Sequence, residues 1–98
     1  MVAVFVTFRY GKQFSEAMIR WLAEGARARF EGMPGLLLKV FSVQPELREA
    51  RNVYVWDGME AARGFFTPEK CARIAELYGV LPDIEYAEVG ALVQNPPG

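Results

Sequence analysis

Histidine is absent from this chain of 98 residues. It is the commonest general base and metal ligand and a usual haem ligand. Its absence excludes Ser-His-Asp and Cys-His catalysis and most zinc and non-haem iron centres. Cysteine occurs once, at Cys71. That count excludes a disulfide framework, and the missing CxxC partner excludes a heavy-metal chaperone. The expectation is a protein without metal or cofactor.

An excess of charge of either sign is also lacking. Lys and Arg number 11 against 12 Asp and Glu, a formal net charge of −1. Nucleic-acid binders carry a basic footprint, so no nucleic-acid partner is expected. No apolar run approaches the roughly 18 residues of a membrane span, and no charged and then apolar leader opens the sequence. Cytoplasm is the expected compartment, with no membrane partner.

What the chain does have is apolar surface. Hydrophobic residues make up 52% of it, including 7 Phe, 4 Tyr and 2 Trp. A length near the usual domain size of about 100–150 residues implies one domain over residues 1–98. A chain this short buries only roughly 60–70% of its unfolded surface. The apolar surplus therefore calls for a partner surface, and a homodimer is the simplest one.

Periodicity predicts the path. Residues 2–9 (VAVFVTFR) are β-branched and aromatic and read as a strand. After a turn at Gly11–Gln13, a helix is expected from Phe14 or Ser15 to Glu31, with Phe14, Ala17, Met18, Trp21, Leu22 and Gly25 as its buried stripe. Gly32 and Pro34 end it. A second strand follows over 35–43, a polar loop over 44–51 and a third strand over 52–56. Asp57, with Glu60 three residues on, predicts a capping box for a short helix over 58–66. Thr67 and Pro68 start another helix, with Cys71, Ile74, Ala75 and Tyr78 on its apolar face. A last strand is expected over 83–94, and 95–98 as a loose tail. The order predicts an α+β, ferredoxin-like βαββαβ fold, a four-stranded antiparallel sheet with helices on one face.

Alternation divides the strand residues into two sets. Val4, Val6, Phe8, Leu36, Leu38, Val40, Val53 and Val55 are almost wholly aliphatic and suit a sheet-on-sheet dimer contact. Phe5, Thr7, Arg9, Leu37, Lys39, Phe41, Tyr54 and Trp56 mix rings with polar tips, as the wall of a small-molecule pocket does. Thr7, Trp21, Lys39, Tyr54 and Trp56 are the expected binding residues for a small apolar or aromatic ligand. Plainer readings stand beside this one. Tyr54 and Trp56 can be core aromatics, Lys39 can snorkel at a sheet edge, and Met18 and Trp21 can simply pack. Cys71 can be an inert buried thiol.

The segments PGLLLKVF (34–41), NVYVWDGMEAARGFF (52–66) and YGVLPDIEYAEV (78–89) resemble the YdhR-like group of monooxygenases. That group lies in the dimeric α/β-barrel superfamily, which also holds the antibiotic-biosynthesis monooxygenases. The resemblance runs through nearly the whole chain. It implies two sheets packed across a dimer axis, with a cleft between sheet and helices in each subunit. It also implies that Trp56 matches a tryptophan lining that cleft in haem-degrading and quinone-oxidising relatives. The helix histidine that ligates haem in the former is missing here. The expected activity is cofactor-independent oxygenation of a small phenol or quinol, and the alternative is a non-catalytic ligand-binding or interaction homodimer. RNA-recognition domains share the path, but their glycine-and-aromatic third strand and basic surround are absent. Acylphosphatase shares it too, but residues 10–14 (YGKQF) do not supply its glycine-rich phosphate loop with arginine.

Overall fold

The computed structural model describes residues 1–97. Strand β1 spans Val2–Arg9, helix α1 Glu16–Phe30, β2 Leu36–Gln44, β3 Glu49–Trp56, α2 Met59–Phe65, α3 Pro68–Tyr78 and β4 Asp83–Glu88. The strands form one antiparallel sheet in the order β2-β3-β1-β4, the ferredoxin-like arrangement. No helix among the described residues is long and apolar enough to cross a membrane.

Local chemistry sets most of the boundaries. The Ser15 hydroxyl accepts the Met18 N–H at 3.2 Å and opens α1, and Gly32, at φ +71°, takes the chain out of it. Thr67 does the same for α3 through the Lys70 N–H, with Pro68 in the first turn. Gly79 closes α3 in the left-handed region. The expected Asp57 cap is replaced by Gly58, whose extended backbone precedes α2 with no side-chain bond. The Asp57 N–H is donated to the Gly35 carbonyl at 2.8 Å, so it is not free for the Glu60 side chain as a capping box requires.

Two other boundaries differ from expectation. Strand β3 begins at Glu49 rather than 52, because Glu49 and Arg51 are the outward members of an alternation whose inward members are Ala50 and Asn52. The loop shrinks to a single helical turn at Pro45–Leu47 plus Arg48 in the left-handed region. Strand β4 ends at Glu88 rather than 94. It is an edge strand pairing with β1 alone, and Glu88 already faces Val2, the first residue of β1.

The core lies between the sheet and the helices. Trp56, Phe8, Val4 and Val6 are its largest fully buried side chains, each contributing about 1.5–3 kcal/mol by burial. The Phe8 and Tyr78 rings stack at 4.0 Å and tie α3 to β1.

The register corrects the division of the sheet into faces. Val4 pairs with Tyr54 and Val2 with Trp56, so the inner β1 set shares a face with the aromatic set of β3. Val4, Val6 and Phe8 therefore lie under the helices, not on the open face. Phe5, Thr7 and Arg9 lie on the open face with Leu38, Val40, Val53 and Val55. A register shift between Leu36 and Leu38 moves Leu36 inward as well. Alternation fixes phase within a strand but not between strands. β1 is apolar on both sides, so its sequence carries no sign of which side faces in.

Helix α1 is also rotated from the expected stripe. Ile19, Leu22 and Ala26 are buried, and Phe30 packs against the core. Met18 is 47% exposed and Trp21 74%. Both stripes have helical spacing. The one that faces in carries side chains along its whole length to Phe30, whereas the other passes through Gly25.

Candidate functional site

Polar groups enter this core at a few points, and they meet where α1 and α3 part over strands β2 and β3. Lys39 on β2 faces inward beside its cross-strand partner Tyr54. Asn52, two residues before Tyr54, points the same way by alternation and is 4% exposed. Tyr78, the last residue of α3, reaches back over the sheet. Its hydroxyl accepts the Asn52 Nδ2–H at 3.1 Å, and its carbonyl accepts the Tyr10 hydroxyl at 2.9 Å.

Two adjoining cavities open here. A groove of about 750 Å³ runs between α1 and β2, and a pit of about 170 Å³ lies between α1, α3 and the sheet. Phe30, Lys39, Phe41, Asn52 and Tyr78 line both. The pit is the more aromatic, adding Tyr54 and Phe65.

Lys39 is the central group. Its Nζ lies 3.5 Å from the Tyr54 ring centroid, 3.8 Å from Phe30 and 4.4 Å from Phe41. No carboxylate pairs with it among the described residues. Ring faces attract a cation, but three rings do not replace the hydration an ammonium loses. Burial pushes the Lys39 pKa down to about 6. At neutral pH Lys39 is mostly a free amine, a proton acceptor in an aromatic cage.

The phenols move the other way. Burial raises the pKa of Tyr54 and of Tyr78, so both remain protonated donors at neutral pH. The Asn52–Tyr78 bond uses the amide N–H and the phenol oxygen. The amide oxygen and the phenol proton are left for a ligand. The site thus offers a base, a donor and an acceptor within an apolar wall.

Of the five expected binding residues, the fold brings Lys39 and Tyr54 together at the cleft. Trp56 backs the wall without forming it: it is 2% exposed and its ring lies parallel to Tyr54 at 6.0 Å. Its indole N–H is buried without a partner among the described residues. Thr7 sits on the opposite sheet face, across from Arg51, as a result of the register. Trp21 points to solvent from the outer side of α1. Asn52, Tyr78 and Phe30 were not foreseen. Alternation from Tyr54 and Trp56 could have found Asn52, the lone amide on the inner face of β3. In the sequence Tyr78 shows only as part of an apolar stripe.

No protein-family model matches the chain, and no curated protein matches it. Solved structures do. A monooxygenase from Streptomyces coelicolor, in complex with nanaomycin D, superposes with a TM-score of 0.66 at 21% identity over 96% of this chain and 92% of that one. A cofactor-independent oxygenase from Streptomyces nogalater gives 0.60 at 18% identity over 98% and 97% of the two chains. A dimeric ferredoxin-like protein from an uncultured marine organism gives 0.56 at 17% identity over 96% and 97%. At these identities the likeness is one of fold.

Proposed function

We propose that the protein is a cofactor-independent monooxygenase acting on a small aromatic or quinone-like molecule in the cleft between sheet and helices. The observation that carries this reading is the Lys39 amine, caged by Phe30, Phe41 and Tyr54 beside the Asn52–Tyr78 pair. Two of the similar folds belong to oxygenases, and the YdhR-like resemblance of residues 34–41, 52–66 and 78–89 agrees with it.

A bound quinol gives its O–H proton to Lys39 Nζ, and the resulting ammonium pairs with the quinolate. Tyr78 donates to one ligand oxygen, and Asn52 accepts from another hydroxyl. The electron-rich ring carbon adds dioxygen, and the peroxide takes the proton back from Lys39. Lys39 then removes the hydrogen from that carbon as the O–O bond breaks. The departing hydroxide takes this proton and leaves as water. One oxygen atom enters the product, the other becomes water, and the quinol's electrons reduce both. Phe30, Phe41 and Tyr54 hold the ring flat and keep the site dry.

The assembly is read as a homodimer through the open sheet face, where Leu38, at 36% exposed, and Val40, at 43%, stand beside Val53 and Val55. The fold likeness to a dimeric protein supports this.

The test is naphthoquinol under isotopically labelled dioxygen, with protein-free and Lys39→Met controls. One labelled atom in the hydroxyquinone, formed faster than in either control, is the expected result. Tight binding with no turnover above background would replace the enzyme by a ligand-binding homodimer.

A further inference from the structure

The pit between α1 and α3 has charge of one sign. Its ionisable basic groups are Lys39 within and Arg29, Lys70 and Arg73 around the opening, and among the described residues no Asp or Glu lines it. The chain as a whole is balanced, with 11 basic and 12 acidic residues. The imbalance is therefore local to the cavity.

The three outer cations are also unpaired. Among the described residues Arg29, Lys70 and Arg73 form no ion pair. Acids are within helical reach, since Glu69 and Glu76 stand four residues before and three after Arg73. The other face of α1 differs. Arg20 pairs with Glu16 at 2.9 Å, and Arg27 lies 3.8 Å from Glu24 and 4.0 Å from Glu31. The two other cations of α1, Arg20 and Arg27, are thus neutralised in place, while Arg29 on the same helix is left open at the pit. Arg29 and Arg73 are exposed and Lys70 is half-buried. Its Nζ lies 5.0 Å from the Phe65 ring, where the aromatic wall begins.

We infer that the ligand of this cleft is an aromatic acid, its ring against Phe30, Tyr54 and Phe65 and its carboxylate held by Arg29, Lys70 and Arg73. A neutral ring in the same place would leave these cations with no opposite charge to meet. A carboxylate meets them with charge-assisted bonds, and the two guanidinium groups offer the fork that fits it. The ring occupies the site and the acid sets which rings are chosen. The inference deepens the proposed function and rests on the cleft being a ligand site.

Calorimetric titration with a naphthoate and the matching naphthamide tests it. The naphthoate is expected to bind at least about tenfold more tightly at low salt, and the difference to shrink at high salt. An Arg73→Gln, Lys70→Gln double variant, which leaves Arg29 alone at the opening, is expected to remove most of the naphthoate's advantage over the amide. Circular dichroism checks that α3 is intact. Equal affinities for the two probes would overturn the acid preference and leave the cleft standing. An acid preference undiminished in the double variant would overturn the assignment to this opening. Failure of both probes to bind would remove the cleft reading, and this inference with it.

Discussion

Lys39 Nζ stands 3.5 Å from the centre of the Tyr54 ring, its direct cross-strand neighbour. The pairing puts the chain's most perturbed cation against a phenol that is itself held neutral, so neither group can neutralise the other. Whatever arrives in the cleft decides where the proton goes.

Stability should depend on pH through this lysine. Its pKa is about 6 in the fold against 10.5 ordinarily. The unfolded chain therefore holds more protons across that window, and stability rises as pH rises through it. Lys39→Met should flatten the rise. Urea denaturation at pH about 6 and about 9 should differ by at least about 1 kcal/mol more in the wild type than in the variant. Equal slopes would mean that Lys39 keeps its proton.

Turnover should follow the same group in the same direction. Activity on a quinol is expected to rise with pH through about 6 as the amine is freed. A rate that is flat across that region would assign the base to another residue.

The open face gives an assembly prediction. Val40 is 43% exposed in the single chain, so Val40→Asp can fold, but two copies of the charge cannot be buried across a dimer axis. Sedimentation should find the wild type dimeric and the variant monomeric, with the same far-ultraviolet spectrum. A variant that stays dimeric would move the interface elsewhere.

Gly35 should be nearly irreplaceable. It sits at φ +81°, where a side chain is strained, and an added Cβ would come 2.9 Å from Ala61 Cβ. Its carbonyl also holds the Asp57 N–H. Gly35→Ala is expected to cost roughly 2–4 kcal/mol, measured by chemical denaturation. A loss within experimental error would show that α2 moves freely over the sheet.

Tyr78→Phe isolates the hydroxyl from the ring. The stack on Phe8 is retained, but the buried Asn52 amide loses its acceptor. A loss of about 1–2 kcal/mol in stability is expected, together with weaker binding of quinols. Unchanged ligand affinity would leave Tyr78 a structural residue only.

The fold was legible in the sequence because its signals are local. The Ser15 and Thr67 caps, the glycines at 32 and 79 and the β-branched run 2–9 each act within a few residues. The site was legible only where one strand carried the information. Lys39 with Phe41, and Tyr54 with Trp56, were each assigned the same face and are on it. Thr7 and Trp21 required a choice of phase between elements, for β1 against β3 and for α1 against the sheet. Two apolar stripes of equal period give no such choice. Asn52 is hard to see in the sequence because it looks like the first residue of the strand, which in fact starts three residues earlier.

The two indoles occupy opposite extremes, with Trp21 74% exposed and Trp56 2%. Their light emission should therefore separate into a red-shifted part that iodide quenches and a blue-shifted part that it cannot reach. Replacing Trp21 by phenylalanine would silence the first and leave a single tryptophan beside Tyr54. Such a protein carries its own gauge of the interior, and any change in its glow on adding a ligand must come from the cleft side of the sheet.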